Sequence, residues 1–225
     1  MTDQQPTLTP KAIQTRQRIQ DVAMDLFLTK GYEATTMRDI AAAAECSLGL
    51  AYRYFAGKED LVLAFYHEMS TGMADKIMQL PPTTLADRYY EAMRDEFARL
   101  EPYREALGAM FGAAMNPDSR VAVLGEGAAD IRDRSYRSFV EMVERAKDSP
   151  KSPQAEQIAT LLYAAHLGLI LFWLYDRTPG QRVTHQLLSF SREILGLTRR
   201  MLILPFLRDG LTRLAEIVHP VFVGE

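Results

Sequence analysis

The side chains best equipped for chemistry fall in one short run. Between Ser47 and Lys58, the hydroxyls of Tyr52 and Tyr54 flank the guanidinium of Arg53, and the ammonium of Lys58 follows one turn later. Such groups donate hydrogen bonds to phosphate oxygens and to base edges. Gly49 lets a backbone approach a surface closely, and Leu48 and Leu50, odd on a solvated face, suit contacts with thymine methyl groups or a small packing patch. Catalytic constellations are weak by comparison. His67-Glu68, His166, His185 and His219 have no metal-ligand spacing, and no His-Glu-x-x-His occurs. Gly125-Glu126-Gly127 follows no strand pattern, which argues against a nucleotide loop. The run of Asp130, Arg132, Asp133, Arg134 and Arg137 reads as a solvated helix face, and no metal or cofactor is expected.

Composition bounds what can position these groups. The chain has 225 residues, 48% hydrophobic and 24% charged, the balance of a soluble protein with a sizeable core. Its single cysteine, Cys46, points to a reducing, cytoplasmic setting. The net charge of −3 excludes a broadly basic body, and residues 1–60 hold seven Lys or Arg against eight Asp or Glu. Any contact with nucleic acid must therefore be local. Met1 to Pro10 lacks the pattern of an export signal and is expected to be a disordered arm. Ile158 to Tyr175 sits at the lower edge of membrane-spanning length and is read as a buried helix, so no membrane partner is expected.

Prolines and caps divide the chain. No proline occurs between Lys11 and Leu80, and in that stretch Ile19, Val22, Ala23, Leu26 and Phe27 repeat at helical spacing after a Thr9-Pro10 start, with Gly31 as the stop. Thr36 and Asp39 form a near capping box for a short helix reaching about Ala44, and Ser47 caps another to Phe55. A long helix then runs from about residue 59 to residue 79, where Pro81-Pro82 follows. Further helices are expected at 84–99, 102–115, 118–147, 154–175, 182–204 and 206–218. The fold class is all-α: a helix-turn-helix unit over 11–58, then a helical body over 59–225. Two short helices and a turn, covered by a third helix, suit a recognition helix entering the major groove; any small bundle would show similar caps.

The run from Thr35-Thr-Met-Arg-Asp-Ile-Ala through Ser47-Leu-Gly-Leu-Ala-Tyr-Arg-Tyr-Phe-Ala-Gly-Lys-Glu-Asp-Leu61, within residues 15–66, resembles the DNA-binding domain of TetR-family transcriptional regulators. The resemblance implies a homodimer that binds double-stranded operator DNA through its first three helices, with the fourth joining them to an effector-binding, dimer-forming body. Carried over by position, Thr36 and Arg38 match the start of a phosphate-facing helix. Ser47, Leu48, Gly49 and Leu50 match the groove-facing start of the recognition helix, and Tyr52, Tyr54 and Lys58 match phosphate contacts. Arg53 holds a variable position, open to base or phosphate. Leu48 and Leu50 depart from the lysine and threonine common in the family, which shifts base readout toward methyl contacts and shape.

The body carries no motif of comparable strength. Met110, Phe111, Met115, Tyr136, Phe139, Tyr163, His166 and Trp173 would suit an adaptable cavity for a small apolar effector, and equally an ordinary core. His166 is either an interior histidine with its bonds satisfied or the anchor for a ligand's polar end. On the helix 154–175, one stripe (Leu161, Ala165, Leu169, Phe172) and its neighbour (Leu162, His166, Leu169, Trp173) compete for a symmetry mate, with the helix 182–204 expected to complete an intersubunit four-helix bundle. The function expected is a regulator, a repressor released by its effector; the alternative is an all-α small-molecule-binding enzyme or carrier without DNA binding.

Overall fold

The computed structural model describes residues 9–201 and 205–223, with α-helices and short 3-10 turns and no strand among them. The expected disordered arm lies outside the described residues save for Thr9 and Pro10. Thr9 accepts a hydrogen bond from the Ala12 amide, and Pro10 opens α1 (Pro10–Thr29). The helix ends before Gly31, whose φ of 88° is left-handed and cheap only for glycine. Next come α2 (Met37–Ala43), α3 (Leu48–Tyr54) and α4 (Lys58–Gln79). Ile19, Ala23 and Phe27 of α1 meet Ile40, Ala41 and Ala51 in one apolar core, which lets two seven-residue helices persist although neither is long enough to be stable alone.

The body comprises α5 (Leu85–Leu100), α6 (Arg104–Met115), α7 (Ala129–Glu144), α8 (Gln154–Tyr175), α9 (Arg182–Met201) and α10 (Pro205–Val223). Helix α4 runs without a break from the front unit into this body, packing on α5 and α7, while α1 also packs on α6. A hydrogen bond of 2.8 Å from buried Gln20 to Glu68 ties α1 to α4.

Two expectations change. The stretch 118–147 is not one helix: residues 116–125 are turns, Glu126–Ala128 is a 3-10 turn, and α7 begins at Ala129. A Cβ on Gly127 would lie 2.2 Å from the Arg120 carbonyl oxygen, so the chain folds back on itself where only glycine fits. Helix α10 continues through Pro220 to Val223; so near the end, the proline forfeits few backbone bonds. Within the protomer α9 packs chiefly on α5, and α8 lies between α7 and α10. Of the two stripes on α8, Leu162, His166, Leu169 and Trp173 are all buried, whereas the other mixes half-buried Leu161 and buried Leu169 with exposed Ala165 and Phe172, beside which Gly168 and Tyr175 also face outward. Among the described helices, α8 is the one long and apolar enough to cross a membrane, and its buried stripe is instead committed to the core.

Candidate nucleic-acid interface

Local chemistry sets the geometry of the front unit. The Thr36 hydroxyl accepts from the Asp39 amide at 3.2 Å, and the Asp39 carboxylate accepts from the Thr36 amide at 2.9 Å, completing the capping box. Lys30 donates to the same carboxylate at 2.6 Å. The Lys30 hydrogen bond first, then those from Thr36, hold the Asp39 carboxyl well below the usual carboxylate range. Between the two short helices Glu45 takes a left-handed φ of 51°, which turns the chain sharply. Ser47 then caps α3 by accepting from the Leu50 amide at 3.1 Å.

These caps fix which side chains look out. Ala51 and Phe55 are buried, as their spacing of four requires. Tyr52 is 50% exposed, and Thr36, Arg38, Ser47, Gly49 and Arg53 are exposed as well. Leu48 and Tyr54 are half-buried against the core, and Leu50 is half-buried too. Every residue of the expected set thus lies between Thr36 and Lys58, in the front unit and the first residue of α4. Arg38 and Arg53 make no ion pair among the described residues, so both guanidinium groups are available to an anion. Arg16 is engaged differently, lying 4.8 Å over the Phe55 ring.

Lys58 has an internal role that its position in the sequence did not reveal. Its ammonium donates to the Tyr32 carbonyl at 2.9 Å and the Glu33 carbonyl at 3.3 Å, sits 3.7 Å from the Glu33 carboxylate, and lies 4.3 Å over the Tyr32 ring. It fastens the start of α4 to the turn after α1. The Tyr32 hydroxyl is pushed well above the ordinary tyrosine range by burial and by Glu59, so it stays protonated.

The pattern of caps, turn and covering helix has a counterpart in known proteins. The model for bacterial regulatory proteins of the tetR family matches residues 19–65. The front unit is a tetR-family DNA-binding domain. It is 28% identical to the HTH-type transcriptional repressor KstR of Mycobacterium tuberculosis over 193 residues, covering 80% of each chain. Its fold resembles a putative TetR-family regulator from Syntrophomonas wolfei, with a TM-score of 0.66, 21% identity, and 86% of this chain and 98% of that one covered. It also resembles Thermus thermophilus FadR, solved with lauroyl-CoA, with a TM-score of 0.56, 23% identity, and 80% and 92% covered. With that domain and a named transcriptional repressor matching 80% of its length, the protein acts as a transcriptional regulator rather than an enzyme, which disfavours the reading as an all-α enzyme or carrier.

In the body of the protein the eight candidate effector residues do not form one set. Tyr136, Phe139, Tyr163 and His166 build a ring cluster, with Phe139 and His166 centroids 5.1 Å apart and Tyr163 stacked on His166 at 5.9 Å. Trp173, 1% exposed, stacks on Phe97 at 5.8 Å, and Met110 is buried. Phe111 instead meets Tyr175 edge-on, and Met115 is 46% exposed, so both lie toward the periphery. None of the eight lines the open cleft of about 610 Å³ between α4 and α7, which Ile77, Met78, Arg134 and Arg137 border. Sequence reasoning missed Glu96, Arg88 and Arg99. Glu96 and Arg88 are buried on the apolar face of α5 beside Tyr89, Ala92, Met93 and Leu100, and a charge seated on such a face is the signal that marks them.

Proposed function

We propose that the protein is a cytoplasmic homodimeric repressor that reads operator DNA with paired α3 helices and releases it when a small, largely apolar effector enters the body. The observation that carries this reading is the doubly capped helix-turn-helix with Arg38, Tyr52 and Arg53 outward. Thr36, Arg38, Tyr52 and Tyr54 serve as phosphate contacts, Leu48, Gly49 and Leu50 approach the bases, and Arg53 reads a base edge or a phosphate. Lys58 orders the α1–α2 turn and adds its charge beneath the backbone. With few cations per subunit, useful affinity requires two subunits on half-sites about 34–36 Å apart.

Support for pairing comes from outward apolar stripes: Ala165, Gly168, Phe172 and Tyr175 on α8, Leu214, Ile217 and Val221 on α10, and Phe190, Ile194 and Leu197 on α9. Small residues at 165 and 168 permit close approach of a partner helix, and α10 replaces α9 as the natural companion of α8 in an intersubunit bundle. The names of KstR, a repressor, and of FadR, bound to an acyl-CoA, favour repression and an effector with an apolar part. An effector would act through α4, unbroken from Lys58 into the body, with a coupling of about 1–3 kcal/mol.

The test is a gel shift with the DNA upstream of the protein's own gene, repeated at rising salt. Tyr52→Phe should weaken that DNA and random DNA alike, whereas Leu50→Ala and Arg53→Ala should change the preference between them. Equal losses from all three on every sequence would remove base readout from α3, and a monomer in solution would remove the paired-helix geometry.

A further inference from the structure

The interior of the body holds polar atoms that the fold leaves unmatched. His166 on α8 is 7% exposed, yet neither ring nitrogen has a hydrogen-bond partner. A buried polar group without a partner keeps its full desolvation cost, so such groups are rare in native cores. The neighbouring charge is Glu96 on α5, itself 4% exposed, whose Oε1 stands 3.8 Å from His166 Nε2, beyond hydrogen-bonding distance. The other Glu96 oxygen accepts from Arg99 at 3.2 Å. Around this pair the surroundings are apolar: Phe139 and Tyr163 pack their rings on the imidazole. Phe139 in turn meets Tyr89, whose buried hydroxyl also lacks a partner.

We infer that His166 and Glu96 form the polar pole of the effector site, and that the effector is a neutral apolar molecule ending in an alcohol or phenol hydroxyl. This rests on the effector-controlled reading above and names the ligand class it leaves open. A hydroxyl both donates and accepts. Placed beside the two side chains, it donates to the Glu96 oxygen that faces His166 and accepts from the imidazole N–H, matching the polar atoms that the fold leaves unmatched. A carboxylate cannot do this, because it has no proton to give and would set a second negative charge beside Glu96. The site also has a route to the DNA-reading unit. Arg99, which holds Glu96, extends another nitrogen to the Met69 carbonyl of α4 at 3.4 Å, so a new bond at Glu96 changes what α4 is tied to.

The experiment uses the full-length protein and its single tryptophan, Trp173, which stacks on Phe97 directly after Glu96 in sequence. Fluorescence is titrated with 1-octanol, with its isomer heptyl methyl ether, which accepts but cannot donate, and with octanoate. The expected order is octanol tightest, the ether about tenfold weaker and octanoate weakest. In His166→Leu octanol and the ether should weaken together, whereas in Glu96→Leu the preference of octanol over the ether should collapse toward unity. Glu96→Gln should admit octanoate at least tenfold better than the parent, with a cooperative thermal transition confirming that each variant is folded. Octanoate binding as tightly as octanol, an undiminished preference in Glu96→Leu, or no response to any probe would overturn the proposal. Gel shifts on the same unliganded sample keep the two readings apart: intact DNA binding with no probe response sinks this inference alone, and absent DNA binding sinks the regulator reading.

Discussion

The front unit and the body solve opposite problems with the same helices. In α1 to α3 the polar ends are closed locally, by Thr9, by the Thr36–Asp39 box and by Ser47, and Lys58 spends its charge on two carbonyls and a ring. The body contains both extremes. Buried Arg88 donates to the carbonyls of Ile77, Leu80, Pro81 and Met142, whereas buried His166, Tyr89 and one nitrogen of Arg132 find no hydrogen-bond partner. A unit that must present α3 rigidly to a duplex benefits from complete pairing. A unit that must change on binding something benefits from polar groups that only a ligand satisfies.

That contrast can be broken first at its strongest point. Arg88→Met should cost roughly 3–5 kcal/mol, because it removes the guanidinium that binds four carbonyls at the junction of α4, the Pro81-Pro82 turn and α7, of which the Pro81 carbonyl keeps the Thr83 amide as a donor. The midpoint of urea unfolding measures it, and a loss under 1 kcal/mol would show that the pairing of Arg88 holds nothing together. His166→Leu should move the other way, neutral to about 1–2 kcal/mol more stable, since it removes an unsatisfied buried polar group at similar volume. A large destabilisation there would mean that the imidazole is satisfied after all, and the contrast between paired and unpaired groups would fail inside the body itself.

How far each region was legible in the sequence follows from the range of the interactions involved. Helices α1 to α4 begin and end where Thr9, Gly31, Thr36, Ser47 and Pro81 say they should, because caps and proline act within a few residues. The outward set on α3 was equally readable from the burial of Ala51 and Phe55 four apart. The segment 118–128 was not, since nothing local announces that Gly127 must touch the Arg120 carbonyl. Nor could spacing show that Lys58 would reach back to Tyr32, or that Glu96 would face His166 from another helix. Both are long-range contacts, set by how helices pack rather than by any single stretch of chain. The ring cluster around His166 was half legible: its members were named, but Phe111 and Met115 belong elsewhere.

A smaller effect sharpens the front side of the comparison. Ser47→Ala removes the acceptor for the Leu50 amide and should cost about 1 kcal/mol, read as a lowered melting temperature. Because the cap also sets the pitch of α3, affinity for the upstream DNA should fall more than stability alone explains. If stability drops while affinity at a temperature well below melting is unchanged, the cap is structural only, and α3 does not need a fixed start to read DNA.

The smallest expected effect separates the two regions by how each holds a carboxylate. Asp39 in the front and Asp176 in the body both have carboxyls held well below the usual range, Asp39 foremost by Lys30 and Asp176 foremost by Thr178, with Thr184 adding to it. A lowered folded-state value means stabilisation that is fully present above the unfolded carboxylate value, near about pH 4, and is lost as pH falls toward the folded one. Asp39→Asn and Asp176→Asn should therefore each flatten the acid limb of the stability profile below about pH 4. Salt distinguishes them. Lys30 and Asp39 form a partly exposed ion pair that added salt screens, while Asp176 is buried and bound by hydroxyl and amide donors that carry no charge. Raising the ionic strength should shrink the difference between parent and Asp39→Asn and leave that between parent and Asp176→Asn intact. Equal salt sensitivity at both sites would mean that the capping box, rather than the lysine, dominates at Asp39, and that front and body hold their acids by the same neutral means.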